Sequence, residues 1–219
     1  MIKMFEQFNN EQIINDICKE YNIKKYSINS DGSIDVDGSV LISNNPHLKQ
    51  LPLRFNKVSG LFNCSRNSLT TLEGCPKEVG GYFNCGENQL TSLIGCPEVV
   101  GYGFDCWYNE IDSLEGLSSR IGGNLILANN KITSLKGAPM IIDNNLDLDT
   151  NPISIVDASI EVNSTIYIEK TNIDMEILTL FNEEKQLVFE HGIEYNIYNK
   201  DGSINKYRLD RLLKDFEQE

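Results

Sequence analysis

The chain has 219 residues, of which 32 are acidic and 19 basic, and its formal net charge is −13. Because such a surface repels phosphate backbones and anionic lipid headgroups, the composition argues against direct binding of nucleic acid or of a membrane. Hydrophobic residues make up 40% of the chain, but no apolar run is long enough for a signal peptide or a membrane-spanning helix, so a cytoplasmic protein is expected.

Residues 1–39 are predicted to form an N-terminal cap built from a helix and a β-hairpin. The apolar residues of the helix recur at helical spacing: Ile13, Ile14, Ile17, Cys18 and Tyr21. Asn9 and Asn10 precede them, and either side chain is of the type that caps a helix N-terminus. Alternating apolar residues on both sides of Asp31-Gly32 predict the hairpin, and Asp37-Gly38 predicts a second turn of the same kind.

Residues 40–172 repeat themselves with a period of 21 residues. One column of the repeat is asparagine: Asn67, Asn88, Asn109, Asn130 and Asn151. Two core positions precede each asparagine, Phe or Leu and then Cys or Leu, separated by one residue. This alternation is typical of a strand with one buried face. A repeat of this length indicates a solenoid in which each turn covers the next.

The repeats predict about seven parallel strands, each about five residues long, the first at Val40–Ser43 and the last beginning at Ile166. The asparagine after each strand is expected to turn the chain and to hydrogen-bond the backbone of its own and of the next turn, because loop amides would otherwise be buried and unpaired. Glycine and proline on the return path exclude an α-helix there, so that side is predicted to be extended or 3₁₀.

The repeat unit resembles the leucine-rich repeat pattern Leu-x-x-Leu-x-Leu-x-x-Asn-x-Leu. Its signature positions are filled by Phe62, Cys64, Asn67, Leu69 and Leu72. The Phe-x-Cys strand and the Gly-Cys-Pro turn are most similar to the short bacterial and phage variety, in particular to uncharacterised leucine-rich repeat proteins of large tailed phages. The resemblance implies a repeat solenoid with a parallel β-sheet on its concave face. It also implies a protein-binding scaffold and, for a phage protein, a modulator or inhibitor of a host or defence protein.

Residues 173–219 lose the period and are predicted to form a C-terminal cap. A first helix is indicated by Met175, Ile177, Leu178 and Phe181. A short hairpin is predicted at Asp201-Gly202, and an amphipathic helix from Tyr207 to Phe216. Two short motifs, Tyr-Asn-Ile and Asp-Gly-Ser-Ile, occur in both caps.

The cysteines are predicted to be reduced core residues. Five of the six stand in repeat columns where Leu or Ala replaces them in later turns, as expected of small hydrophobic side chains. The alternative is a bridge within one column, such as Cys64 to Cys85, because neighbouring parallel strands place such residues about 4.8 Å apart.

No cofactor, metal site or catalytic centre is predicted, so the chain is not expected to be an enzyme. The sequence has no Cys-x-x-Cys, and its two histidines, His47 and His191, are far apart. The Asp-Gly turns lack the first and last ligands of a calcium-binding loop. The function is therefore sought on the side chains that the repeat leaves free.

The candidate binding residues lie on and beside the strands of the predicted concave face. They are Arg66, Tyr82, Asn84, Glu87, Asp105, Trp107, Tyr108, Ile126, Asp147 and Asp149. The single tryptophan stands beside a tyrosine among acidic residues, which is the composition of a protein-binding hot spot. The predicted partner is a protein with a basic or mixed surface, and a monomeric chain is expected. The alternative is that Trp107 packs on Tyr108 and Tyr82 as a surface ladder without a partner.

Two other functions fit the composition. A DNA mimic would place carboxylates in the basic groove of a nucleic-acid-binding protein, but Trp107, Ile126 and Ala128 interrupt the acidic positions. A structural or self-assembling component would need an uncapped end.

Overall fold

The computed structural model describes residues 2–180 and 182–216, with the backbone alone for residues 2–9 and 182. It is a repeat solenoid of leucine-rich-repeat type, as predicted, with α/β caps at both ends. The helices are α1 (Ile2–Glu20), α2 (Met175–Leu178), α3 (Asn182–His191) and α4 (Lys206–Phe216). The strands are β1 (Tyr26–Ile28), β2 (Ile34–Val36), β3 (Val40–Leu41), β4 (Phe55–Val58), β5 (Phe62–Asn63), β6 (Glu78–Val79), β7 (Phe83–Asn84), β8 (Val99–Val100), β9 (Phe104–Asp105), β10 (Arg120–Ile121), β11 (Leu125–Ile126), β12 (Ile141–Ile142), β13 (Leu146–Asp147), β14 (Glu161–Val162) and β15 (Ile166–Tyr167).

The predicted parallel sheet is confirmed and has seven strands, in the order β15-β13-β11-β9-β7-β5-β3. Its register follows the 21-residue columns, so that Phe62 pairs with Phe83 and Phe83 with Phe104. All three rings are buried, and the Phe62 and Phe83 rings stack with centroids 5.9 Å apart. Identical turns therefore bury identical side chains against one another, and the core is a continuous column.

A second set of strands lies on the return path of each turn. It forms a five-stranded sheet, β1-β2-β4-β6-β8, and a three-stranded sheet, β10-β12-β14. The extended return path is thus confirmed, and the described residues contain no 3₁₀ helix. The predicted strand length of about five residues was wrong, because each repeat strand has two, apart from the four-residue β4. A two-residue corner divides the extended chain of each turn in two, and it is a glycine pair in two turns, Gly80-Gly81 and Gly122-Gly123.

The asparagine column forms a buried hydrogen-bond ladder. Asn109 Nδ2 donates to the carbonyl oxygens of Cys106 at 3.1 Å and Cys85 at 3.2 Å, while its Oδ1 accepts from the Leu90 N–H at 3.0 Å. Asn88, Asn130 and Asn151 make the same set of bonds in their own turns. The ladder joins each turn to the preceding one. The prediction that each asparagine bonds to the next turn was therefore wrong.

The residue before each ladder asparagine has a left-handed backbone. The positive φ angles range from 53° to 63° and belong to Asn44, Arg66, Glu87, Tyr108, Asn129, Thr150 and Lys170. This conformation costs roughly 1 kcal/mol or more for a residue with a side chain, so neighbouring bonds must hold it. At Tyr108 one such bond runs from its N–H to the Ala128 carbonyl at 2.9 Å.

The N-terminal cap follows the prediction in part. Ile14 and Cys18 are buried and β1 pairs antiparallel with β2, which confirms the helix and the hairpin. The predicted N-cap was wrong, because α1 begins at Ile2 and Asn9 and Asn10 lie inside it. The second hairpin turn was also wrong, since β3 leaves the first sheet and pairs parallel with β5.

The C-terminal cap is built from helices on the last turn. The predicted first helix is two helices, α2 and α3, and Phe181 lies outside the described residues. On α3, Gln186 Nε2 donates to the carbonyl oxygens of Val162 and Ser164, and α4 packs on α3. The predicted hairpin is reduced to one antiparallel bridge between Tyr198 and Ile204. None of the helices within the described ranges is both long and apolar enough to cross a membrane.

The motif shared by the caps has the same structure in both. Asn22 and Asn196 are left-handed, with φ of 55° and 50°, and the isoleucine after each donates back to the end of the preceding helical segment. Asp31 Oδ1 accepts from the N–H and the hydroxyl of Ser33, and Asp201 Oδ1 does the same with Ser203. The common motif is therefore a helix end followed by an Asx-stabilised turn.

All six thiols are free and buried. Burial raises the pKa of the Cys96 thiol to about 12 and raises the pKa values of Cys75 and Cys85 well above the ordinary range. We therefore expect no alkylation of the native protein at pH 8 and six alkylated cysteines after denaturation without reductant. Mass spectrometry of the digest checks this, and a recovered Cys64–Cys85 or Cys85–Cys106 disulfide would overturn it.

Candidate functional site

One row of residues runs across all seven strands on the outward side of the seven-stranded sheet. We call it the face row; it consists of Leu41, Asn63, Asn84, Asp105, Ile126, Asp147 and Tyr167, the second residue of each strand. All seven side chains are exposed or half-buried. The candidates Asn84, Asp105, Ile126 and Asp147 therefore lie side by side on successive strands.

The polar members of the face row also end their strands. Their Oδ1 atoms accept the N–H two residues on, at 2.9 Å for Asn63 and Asn84, 3.2 Å for Asp105 and 3.1 Å for Asp147. Ile126 cannot accept, and the Ala128 N–H has no acceptor among the described residues. This structural role was not predicted, although Asn or Asp at a strand end is a known turn signal.

The acidic residues of the face differ in their charge partners. Glu87 pairs with Arg66 at 2.7 Å, so these two candidates neutralise each other. Loss of hydration raises the pKa values of the Asp105 and Asp147 carboxyls above their ordinary value. Among the described side chains, those of residues 10–180 and 183–216, no cation lies within ion-pairing distance of either carboxylate. Asp149, the remaining acidic candidate, accepts the Glu169 N–H at 2.5 Å.

Asp105→Asn is expected to stabilise the protein at neutral pH. Asparagine already occupies this position in the two preceding turns, and its Oδ1 can accept the Trp107 N–H, so only the 3.2 Å bond from Asn84 Nδ2 to Oδ2 is lost. The pKa of Asp105 is raised in the folded state. The contribution of this carboxyl group to the free energy of unfolding is therefore most favourable below the ordinary pKa of an aspartate, and it is lost as the pH rises through the raised pKa. The charged carboxylate therefore costs stability at pH 7.

Urea denaturation of Asp105→Asn and the parent chain at pH 7 and at acidic pH measures this effect. The variant should have the higher midpoint at pH 7, and the difference should shrink as the pH falls. Asp112→Asn removes the same charge from an exposed position and is the control. A lower midpoint for Asp105→Asn at pH 7 would contradict the expectation.

Trp107 lies across the preceding turn at a glycine. A Cβ placed on Gly86 would come within 2.5 Å of Trp107 Cδ1 and 2.7 Å of Nε1, so only glycine leaves room for the ring in this position. Trp107 is half-buried, whereas Tyr108 is 62% exposed. The two rings meet edge to face with centroids 6.0 Å apart.

Tyr82 lies across the following turn in the same way. A Cβ on Gly103 would come within 2.6 Å of its Cε1 atom. The ring stacks on Tyr102 with centroids 5.8 Å apart, and both tyrosines are exposed. The alternative of a single ladder of Trp107, Tyr108 and Tyr82 was wrong, because the rings form two separate aromatic pairs. Tyr102 was not predicted, although it stands in a 21-residue column otherwise filled by Gly81 and Gly123.

A cleft of about 270 Å³ separates Tyr82 from the face row. Its lining comes from four successive turns: Leu61, Phe62, Asn63, Tyr82, Phe83, Asn84, Gly103, Phe104, Asp105, Asn124 and Ile126. Leu61, Gly103 and Asn124 were not predicted as site residues. The signal that marks them is their shared column with Tyr82, directly before the buried Phe or Leu.

The face presents aromatic, amide and acidic side chains at its surface. In the described ranges, no group of three or more histidine, cysteine or acidic side chains is arranged to hold a metal ion. No protein-family model, curated protein or solved structure matches the chain. The fold and the face therefore define its class by themselves, as a repeat solenoid carrying two aromatic pairs beside a cleft.

Proposed function

We propose that the face row, the cleft and the two aromatic pairs form a protein-binding surface, and that the chain is a cytoplasmic interaction scaffold. The observation that carries the proposal is the placement of Tyr82, Tyr102, Trp107 and Tyr108 beside strands β7 and β9 of the seven-stranded sheet. Aromatic side chains dominate the energy of protein interfaces. A preformed surface also loses little conformational entropy on binding, which favours affinity.

The size of the cleft favours a macromolecular partner. Pockets for small molecules and cofactors usually enclose about 300–1,000 Å³. A cleft of about 270 Å³ is below that range and suits one side chain of a larger partner. The net charge of −13 favours a partner with a basic or mixed surface, because complementary charge steers association.

The resemblance to leucine-rich repeat proteins of tailed phages supports a more specific role. For a phage protein in a host cytoplasm, the partner would be a host or defence protein whose activity is modulated or inhibited. This part of the proposal rests on analogy of sequence and not on the geometry of the face.

The alternatives have less support. In a DNA mimic, the carboxylates would form a continuous phosphate-like row, but the face row alternates amide, acidic and apolar side chains. Asp105 and Asp147 also accept their own backbone N–H groups. For a self-assembling component, α1 and α3 would have to leave the solenoid ends that they cover.

Affinity measurements at two salt concentrations test the proposal against these alternatives. The partner is first captured from a lysate of the source cell with the parent chain. Its binding to Tyr108→Ala, Asp105→Asn and Asp149→Asn is then measured by surface plasmon resonance. For a hot spot, Tyr108→Ala increases the dissociation rate, and the charge variants change mainly the association rate and its salt dependence.

The opposite ranking, with large losses for the carboxylate variants and none for Tyr108→Ala, would identify a DNA mimic. A partner that binds all three variants as tightly as the parent would show that the interface lies elsewhere. Circular dichroism confirms that each variant is folded.

A further inference from the structure

We infer that the cleft beside Tyr82 binds an arginine side chain of the partner, with its guanidinium on Asp105. This inference deepens the proposed function and rests on it. Three independent features of the cleft support it: its apolar walls, its unpaired carboxylate and a break in a ladder of backbone hydrogen bonds.

The walls fit the alkyl stem of a long side chain. Leu61, Tyr82 and Ile126 line the cleft, and Gly103 contributes no side chain. Tyr82 is 53% exposed although its ring stacks on Tyr102, so part of the ring is free to contact a ligand. Arginine combines an apolar stem with a planar cation that stacks on aromatic rings, whereas the compact lysine ammonium stays more strongly hydrated.

The carboxylate of Asp105 lacks a counter-ion. It is half-buried, and its Oδ1 accepts from the Trp107 N–H while its Oδ2 accepts from Asn84 Nδ2 at 3.2 Å. Each oxygen keeps a further lone pair, which matches the two parallel donors of a guanidinium. A carboxylate that has lost hydration without gaining an ion pair favours a cation that enters from the partner.

A ladder of side-chain acceptors is interrupted at the cleft. In the column of Tyr82, the N–H groups of Leu61, Asn145 and Thr165 donate to side chains of the preceding turn, at 3.2 Å, 3.2 Å and 3.0 Å. The side chains that accept are Ser39, Asn124 and Asn145.

The N–H groups of Tyr82, Gly103 and Asn124 have no acceptor in residues 2–180 and 182–216. Gly103 is buried, and a buried N–H without an acceptor is rare in folded proteins. These three positions line the cleft on successive turns. In the complex, main-chain carbonyl groups of the partner, on either side of its bound arginine, would accept from these N–H groups.

The experiment uses the full chain and two peptides that differ in charge. Acetyl-Gly-Arg-Gly-amide and its citrulline analogue have nearly the same shape, but citrulline is neutral. Each is titrated into ¹⁵N-labelled protein and followed by NMR. We expect the amide signals of Tyr82, Gly103 and Asn124 to shift with the arginine peptide, and about tenfold weaker binding of the citrulline peptide.

Two variants separate the cleft from general charge attraction. Asp105→Asn should abolish the preference for arginine, whereas Asp112→Asn, with the same change in net charge, should keep it. Gly103→Ala places a methyl group where the Tyr82 ring lies and should weaken binding of both peptides. NMR spectra of the free variants show whether each is folded.

Equal binding of the two peptides, an absence of shifts at the three amides, or a preference retained in Asp105→Asn would each overturn the inference. None of these results would remove the proposed protein-binding function, because that function is tested through Tyr108 and Trp107 with the captured partner. If the Tyr108 and Trp107 variants lose affinity for the captured partner while the arginine peptide shows no specific binding, the interface is assigned to the Trp107–Tyr108 pair alone.

Discussion

Asn109→Ala is expected to lower the free energy of unfolding by about 3–4 kcal/mol. The substitution leaves the buried Leu90 N–H without its acceptor, which costs about 1–3 kcal/mol. It also removes one of the two amide donors to the carbonyl oxygens of Cys85 and Cys106, which keep their bonds from Asn88 and Asn130, and each lost bond costs about 0.5–1.5 kcal/mol. Urea denaturation followed by circular dichroism measures the loss.

Thr171→Ala is the matched control for this effect. Thr171 occupies the ladder position in the last turn, where its Oγ1 donates to the Ile168 carbonyl at 3.0 Å and accepts only a long bond, at 3.4 Å, from the Ile173 N–H. It is half-buried, and its substitution should cost about 1 kcal/mol. Equal losses in the two variants would show that the buried asparagine ladder does not hold the turns together.

Trp107→Ala is expected to weaken binding of the captured partner by about 2 kcal/mol or more, which is roughly thirtyfold. The indole is the largest side chain on the face, and its partly exposed surface would be covered by the partner. Because the ring is only half-buried in the free chain, its removal should leave the fold intact. Surface plasmon resonance gives the affinity, and circular dichroism checks the fold.

Tyr207→Ala is the control for the aromatic substitution. Tyr207 is 78% exposed on α4, in the C-terminal cap and away from the seven-stranded sheet. Its substitution should leave the affinity unchanged. A loss at Tyr207 as large as that at Trp107 would place the interface on the cap or attribute the effect to general loss of aromatic surface.

Much of the fold could be predicted because the repeat imposes the same environment on every turn. A column such as Phe62, Phe83 and Phe104 sets both the buried face and the register, so the seven strands follow directly. The start of α1 could not be predicted, since Asn9 and Asn10 are plausible N-caps and nothing local shows that the helix begins earlier. The corners that limit the strands to two residues could not be predicted either, because the close backbone contacts of corner glycines such as Gly80 and Gly122 form only when the turns are stacked.

The site was predictable to the extent that it follows the columns. The 21-residue period alone placed Asp105 and Ile126 on the face. The Arg66–Glu87 ion pair could also have been predicted, because the two opposite charges stand in one column of the repeat. The positions of the Trp107 and Tyr82 rings could not be predicted. Each ring lies over the neighbouring turn that has a glycine at the facing position. For Trp107 this is the preceding turn, and for Tyr82 it is the following turn.

The affinity of Gly86→Ala for the captured partner tests the central claim most directly. The new methyl group would lie within 2.5 Å of Trp107 Cδ1 and must displace the ring, yet no atom of the face is removed. Alanine is compatible with the backbone in this column, because Ala128 occupies it two turns later. Trp107 is the only tryptophan, so its fluorescence reports the displacement. We predict an affinity lower by roughly tenfold with unchanged cooperative unfolding. Parent-like affinity in a variant whose fluorescence shows a displaced Trp107 would contradict the assignment of this face as the binding surface.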